Sequence, residues 1–187
     1  SLEVIKKNKN NGKKFSVGVS INNLSLNEND IGEFKTFLKI SPPLRTEEDR
    51  LSLVQGIKDN LIDVIVSDHL PEDEESKRLP FAQAATGSIG IETLLPLALE
   101  MYHNGSLPLN KIIETITINP SQILKINKGS LKKGADGDIC IFDLDTPWKL
   151  DAEKLKSKSK NTAIEDRKLQ GKVLMTFLNG ELVFNHQ

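Results

Sequence analysis

The stretch that most constrains this chain runs from Asp63 to Glu72 and reads Asp-Val-Ile-Val-Ser-Asp-His-Leu-Pro-Glu. A short, mostly β-branched apolar run, Val64 to Ser67, ends abruptly in Asp68-His69, then Pro71, then the acids Glu72-Asp73-Glu74-Glu75. Such a run, bounded by turn signals, suits a buried strand of a parallel sheet, where helices cover both faces. A carboxylate and an imidazole at the carboxyl end of that strand lie where α/β enzymes gather their chemistry. The same residues also suit an ordinary strand end closed by a solvated Asp and His. Taken alone, the stretch leaves both readings open.

The segments around it predict how the strand is delivered. Leu2, Val4 and Ile5 with the lysines after them give an amphipathic turn or two of helix, stopped at Asn10-Asn11-Gly12. Phe15 to Ile21 alternates with small residues and predicts a strand ended by Asn22-Asn23-Leu24. Asn27 to Asp30 can cap a short helix over Ile31 to Phe34. Lys39 to Arg45 contains Pro42-Pro43 and is rigid and extended, since each proline fixes its own φ and biases its predecessor away from helix. Thr46 is then an N-cap with Asp49 at the third helical position, and Leu51, Val54, Ile57 and Leu61 fall at helical spacing. The order strand, loop, helix, strand is a parallel α/β unit.

After the acidic loop, Gly87-Ser88-Ile89-Gly90 opens a helix through Met101, in which Pro96 implies a kink or a later start. His103-Asn104-Gly105 ends it, with His103 read as structural at a helix end that mildly favours a cation. Leu109 to Ile118 predicts another helix, ended by Asn119-Pro120, and Ser121 to Ile126 a further short turn. From Lys128 the pattern becomes β: Asp138 to Phe142, Val173 to Leu178 and Glu181 to Phe184, the last two joined by Asn179-Gly180, a strong hairpin signal. The lysine-rich run Lys154 to Lys160 reads as a solvated loop.

Composition narrows the function classes. The net charge of −1 gives nothing that would recruit nucleic acid or an anionic membrane. The single cysteine, Cys140, allows no internal disulfide and fits a reducing, cytoplasmic compartment; its apolar surroundings predict a buried structural thiol. No apolar run is long enough to span a bilayer. The chain opens Ser1-Leu2-Glu3-Val4-Ile5 in helical pattern and without Met, which suggests a fragment or a processed chain.

Several segments, in order, resemble dihydroorotases of the cyclic amidohydrolase group, within the metal-dependent amidohydrolase superfamily. Lys39 to Arg50 resembles the Asn-Pro-Pro-Leu-Arg segment and the helix after it. Ile65 to Glu72 is similar to Thr-Asp-His-Ala-Pro-His at the last barrel strand. Ala84 to Leu97 resembles Phe-Gly-x-x-Gly-x-Glu-Thr, and Gly129 through Asp143 resembles the start of a β-sandwich. Ser157 to Thr162 also fits.

The resemblance implies an α/β fold: the C-terminal part of a (β/α)8 TIM-like barrel followed by strands of a small β-sandwich. Residues 1–127 would be the last βα units and residues 128–187 the sandwich part and tail. A barrel of this kind needs roughly 250 residues, so most of it would lie upstream. With it would lie most ligands of the zinc that the resemblance implies, and this chain alone is expected to bind no metal tightly. The strand edges at Val17 to Ile21 and Val64 to Ser67 would then seek a partner: a complementary N-terminal fragment or a second copy in a homo-oligomer.

By the same resemblance Asp68 is the catalytic proton shuttle and a metal contact, and Ser41, Glu72, Thr86 and Gly87 lie on the substrate side. Several of these depart from the family pattern. Ser41 replaces an Asn that hydrogen-bonds the substrate ring, Thr86 replaces a Phe beside it, and Asn22-Asn23 replace paired histidines. Glu72 replaces a His that contacts the substrate carboxylate, and an acid repels an anion there. Two readings follow. One is an active hydrolase of a small cyclic amide, either dihydroorotate or another cyclic ureide such as hydantoin or allantoin. The other is a non-catalytic homologue that partners aspartate transcarbamoylase. Charge complementarity weighs toward impaired or absent dihydroorotase turnover in the chain itself.

Overall fold

Two short parallel strands form the centre of the first part of the molecule. In this computed structural model, which describes residues 1–186, β1 (Gly18–Ser20) pairs with β2 (Val64–Val66) in the register Val19 to Ile65. Helix α1 (Leu2–Asn10) precedes β1, and Lys9 Nζ reaches Asp63 Oδ1 at 2.9 Å. The other Asp63 oxygen accepts the Val17 N–H at 2.8 Å, so one carboxylate ties α1 to both strands.

Between the strands, the chain forms α2 (Ile21–Ser25), two 3-10 turns, the Pro42-Pro43 segment and α3 (Glu47–Lys58). The expected strand over Phe15 to Ile21 is therefore shorter. Ser20 ends it because its hydroxyl accepts the Asn22 N–H and caps α2, so Ile21 to Asn23 are helical. The short helix expected at Ile31 to Phe34 lies earlier, as a 3-10 turn over Glu28–Ile31 with Asn27 and Asp30 in a reciprocal capping box. Thr46 caps α3 as expected by accepting the Asp49 N–H at 3.2 Å. The buried face of α3 is Val54, Gly56 and Ile57, whereas Leu51 is 52% exposed. Leu61 lies beyond the helix end, and Ile62 fills the core there.

The parallel α/β unit is thus present: strand, helix α3, strand. After β2 come the short α4 (Glu74–Lys77), then α5 (Leu94–His103), α6 (Leu109–Ile116) and α7 (Ile118–Leu124). Helix α5 starts later than Gly87, which places Pro96 in its first turn, where a missing N–H costs no intrahelical bond. Asn119-Pro120 likewise sits inside the first turn of α7, and α6 stops before it. Leu97, Ala98 and Leu99 of α5 are fully buried.

The last part is an antiparallel sheet in the order β3 (Ile139–Lys149), β4 (Lys168–Leu178), β5 (Glu181–Asn185). Asn179 and Gly180, at φ 52° and 83°, make the expected tight hairpin between β4 and β5. Cys140 is exposed, contrary to the expected buried thiol, because it pairs with Thr176 on a sheet that is itself largely exposed. Leu150, Ile164 and Leu169 join the same hydrophobic cluster as Val19, Ile57 and Leu97, so the core is continuous across residue 128. Arg167 closes the seam with a paired contact to Glu100 on α5, Nη2 to Oε2 at 2.8 Å. Burial against the core raises the Glu100 carboxyl pKa, while Arg167 draws it down. Among the described residues no helix is long and apolar enough to cross a membrane.

Candidate active site

Asp68 stands just past the end of β2 at φ 50°, the left-handed region. Asp tolerates that conformation better than most residues, and non-glycine residues held there cluster at functional sites. It is half-buried and lines a cleft of about 830 Å³ with Gly18, Ser20, Asn23, Pro42 and Val66. Asn23 connects that cleft to the proline segment, because its side-chain amide donates to the Pro43 carbonyl at 3.2 Å.

Two loops are laced together behind Asp68. His69 bridges Ser88 in a parallel fashion, and the Leu70 N–H donates to the Ser88 carbonyl at 2.9 Å. His69 Nδ1 accepts the Gly90 N–H at 3.1 Å, so this imidazole nitrogen is occupied by the backbone. Gly90 must be glycine here, because a Cβ would lie 2.3 Å from the Ser67 carbonyl oxygen. At Gly87 a Cβ would lie 3.1 Å from Glu72 Cγ, which places Glu72 against the Thr86-Gly87 turn.

A third segment holds these two. Asn161, 2% exposed, accepts the Glu72 N–H at 3.2 Å through Oδ1 and donates to the Leu70 carbonyl at 3.1 Å through Nδ2. Its own carbonyl accepts the Ile89 N–H at 3.2 Å. Lys77 is fully buried, and its ammonium donates to the carbonyls of Lys39, Ala85 and Gly87. Desolvation pushes the Lys77 pKa down to about 8, against the pull of Glu72 and with the push of Lys39.

The structure therefore places Glu72 beside Gly87, while Thr86 and the segment leading to Ser41 meet through Lys77. Ser41 itself is exposed, before a cis peptide to Pro42. Asp68 shares its cleft with the proline segment rather than with Glu72. Sequence reasoning passed over Lys77 and Asn161 as individual residues; both sit in polar runs whose spacing carries no burial signal. The larger cleft, about 970 Å³, lies elsewhere and is lined by Glu47, Arg50, Glu100 and Arg167. These four charges are already paired: Arg50 binds Glu47 and holds its carboxyl down at about 2, and Arg167 binds Glu100. The chemistry-bearing strand end makes the smaller cleft the better candidate.

Among the described residues no group of three or more His, Cys, Asp or Glu is placed to hold a metal ion. Asp68 offers one carboxylate, and a bound zinc takes about four donors, so these residues do not by themselves make a metal site.

The model of the amidohydrolase family matches residues 8–183. The chain belongs to the amidohydrolase family. Within this family it is 45% identical over 184 residues to a dihydroorotase of Ehrlichia canis (strain Jake), covering 98% of this chain and 41% of that protein. A dihydroorotase of Aquifex aeolicus (strain VF5) is 40% identical over 184 residues, covering 98% of this chain and 43% of the relative. The chain thus spans about two fifths of the length of the curated relatives it matches. Among solved amidohydrolase-like structures, the L-hydantoinase (dihydropyrimidinase) from Arthrobacter aurescens superposes with a TM-score of 0.91 at 28% identity, covering 98% of this chain and 42% of that one. The dihydropyrimidinase from Brevibacillus agri NCHU1002 gives 0.90 at 21% identity, with the same coverages, and shows the shared fold.

Proposed function

We propose that this chain forms part of a dihydroorotase, a hydrolase that interconverts dihydroorotate and N-carbamoyl aspartate in pyrimidine biosynthesis. In this reading, β1 and β2 are the last strands of a (β/α)8 barrel and residues 128–187 belong to its β-sandwich. Asp68 carries the proton between the attacking water and the leaving ring nitrogen. Ser41, Thr86, Gly87 and Glu72 form the substrate side. A zinc ion, contacted by Asp68 and held mostly by ligands beyond these residues, would supply carbonyl polarisation and hydroxide when bound. The protein acts in the cytoplasm.

The observation that carries this reading is Asp68. It sits at the carboxyl end of a parallel strand, in a left-handed backbone conformation, on a cleft, in a chain 45% identical to a dihydroorotase. The acid at Glu72 weighs less against turnover than its residue type alone suggests, because the buried Lys77 ammonium attracts it. A hydantoin-type ring is the second substrate class, favoured by the superposition on the L-hydantoinase. A non-catalytic role beside aspartate transcarbamoylase is the outcome left if neither ring is opened.

The test is an assay of the protein, expressed with the flanking sequence its gene encodes and with added zinc. It follows dihydroorotate and carbamoyl aspartate in both directions, with hydantoin in parallel. Dihydroorotate turnover is expected. Hydantoin turnover alone transfers the proposal to the second substrate class, and turnover of neither overturns both.

A further inference from the structure

Lys77 is a fully buried cation that forms no ion pair among the described residues. An ammonium has three N–H donors, and here each has a carbonyl: Ala85 at 2.9 Å, Gly87 at 3.0 Å and Lys39 at 3.2 Å. Burying a charge without a counter-ion is costly, and a well-packed apolar side chain would serve mere stability at least as well. The three carbonyls belong to the segments that carry the substrate-side candidates. Lys39 leads into Ser41, Ala85 and Gly87 flank Thr86, and α4 places Lys77 itself just after the Glu72 loop. The same segments touch one another directly. The Gly87 N–H donates to the Lys39 carbonyl at 3.0 Å, and the Ala85 N–H donates to the Ser76 carbonyl at 3.0 Å. Lys39 Nζ adds bonds to the carbonyls of Ala82 and Ala84.

We propose that Lys77 is a positioning residue for this site: its buried ammonium gathers the Lys39, Ala85 and Gly87 carbonyls and so fixes Ser41, Thr86 and Gly87 in place, with its charge set against Glu72. The inference rests on the preceding reading for the substrate-side role of those residues. The charged groups that face the ammonium are Glu72, which attracts it, and Lys39, which repels it. Its ammonium bonds only to the Lys39, Ala85 and Gly87 carbonyls among the described residues, not to Asp68, so its effect falls on binding more than on proton transfer.

Three proteins are compared with dihydroorotate as substrate and zinc present: wild type, Lys77→Met and Lys77→Arg. Lys77→Met is expected to raise KM about 10²-fold, the scale on which loosened positioning acts, with kcat nearly unchanged. Wild-type KM is expected to rise as pH passes about 8, where the ammonium loses its proton. Lys77→Arg, which keeps its charge, is expected to hold a flat KM through that range. A wild-type KM in Lys77→Met overturns the proposal, as does the same alkaline rise in Lys77→Arg. Should Lys77→Met fail to fold, the comparison of wild type with Lys77→Arg decides alone.

Amide exchange separates this proposal from the preceding one. Faster exchange at Gly87 in Lys77→Gln, in a protein that does not open dihydroorotate, keeps the positioning role and removes the dihydroorotase reading. Unchanged exchange at Gly87 overturns the positioning role whatever the activity.

Discussion

The parallel pair β1 and β2 and the antiparallel sheet β3 to β5 are held together in different ways. Each parallel strand is three residues long; β1 gives way at once to helix α2 and β2 to irregular chain. The antiparallel strands run for 11, 11 and 5 residues and satisfy one another through a long ladder, broken by register shifts after Ile141, Asp143 and Thr176. The outer strand of that sheet is exposed throughout, whereas Ile65 in β2 is 3% exposed. The candidate site belongs to the first region, yet neither strand holds its loops. Beside a few backbone bonds, such as Leu70 to Ser88 and Gly87 to Lys39, they are held by side chains that bond to backbone: His69 to Gly90, Asn161 to Leu70 and Glu72, and Lys77 to three carbonyls. A ladder spreads its bonds over many residues, while a side-chain tie concentrates them in one. Single substitutions should therefore cost most around Asp68 and least on β5.

The largest effect is expected from Asp68→Asn. Asparagine tolerates the left-handed backbone equally well, so the melting temperature should stay near wild type while kcat falls about 10²- to 10⁴-fold, the usual worth of a positioned proton carrier. A variant with wild-type kcat would remove Asp68 from the chemistry. Gly90→Ala comes next. Its Cβ would lie 2.3 Å from the Ser67 carbonyl oxygen, and forced backbone displacement of this kind costs about 1–3 kcal/mol. Urea unfolding measures it, and a change below about 0.5 kcal/mol would show that the two loops part freely.

Asn161→Ala should follow, at about 1–2 kcal/mol, because it leaves the part-buried Glu72 N–H and Leu70 carbonyl without their partner. The loss should be local: amide exchange at Glu72 should quicken while the β3 to β4 ladder stays protected. Uniform quickening would erase the contrast between the two regions. The smallest effect belongs to Val183→Thr on β5, a site 58% exposed, with an expected change within about 0.5 kcal/mol in the same unfolding experiment.

The sequence by itself determined the elements whose causes are local. Thr46 caps α3, Asn179-Gly180 turns the last hairpin, and the Val64 to Val66 run forms a strand that ends in Asp68-His69, as their spacing predicts. Family membership was legible for the same reason, since motifs survive in order along the chain. Tertiary structure decided what depends on distant partners. Ser20 caps a helix where alternation predicts continued strand, because one hydroxyl reaches the Asn22 N–H and outweighs the period-2 pattern. Cys140 is exposed although its neighbours are apolar, because it lies on a strand that is itself mostly exposed. Lys77 lies in a charged run and Asn161 in a polar one, and no local rule marks either for burial. They are buried because carbonyls from segments far along the chain converge on them, and only the folded chain brings those acceptors to one place.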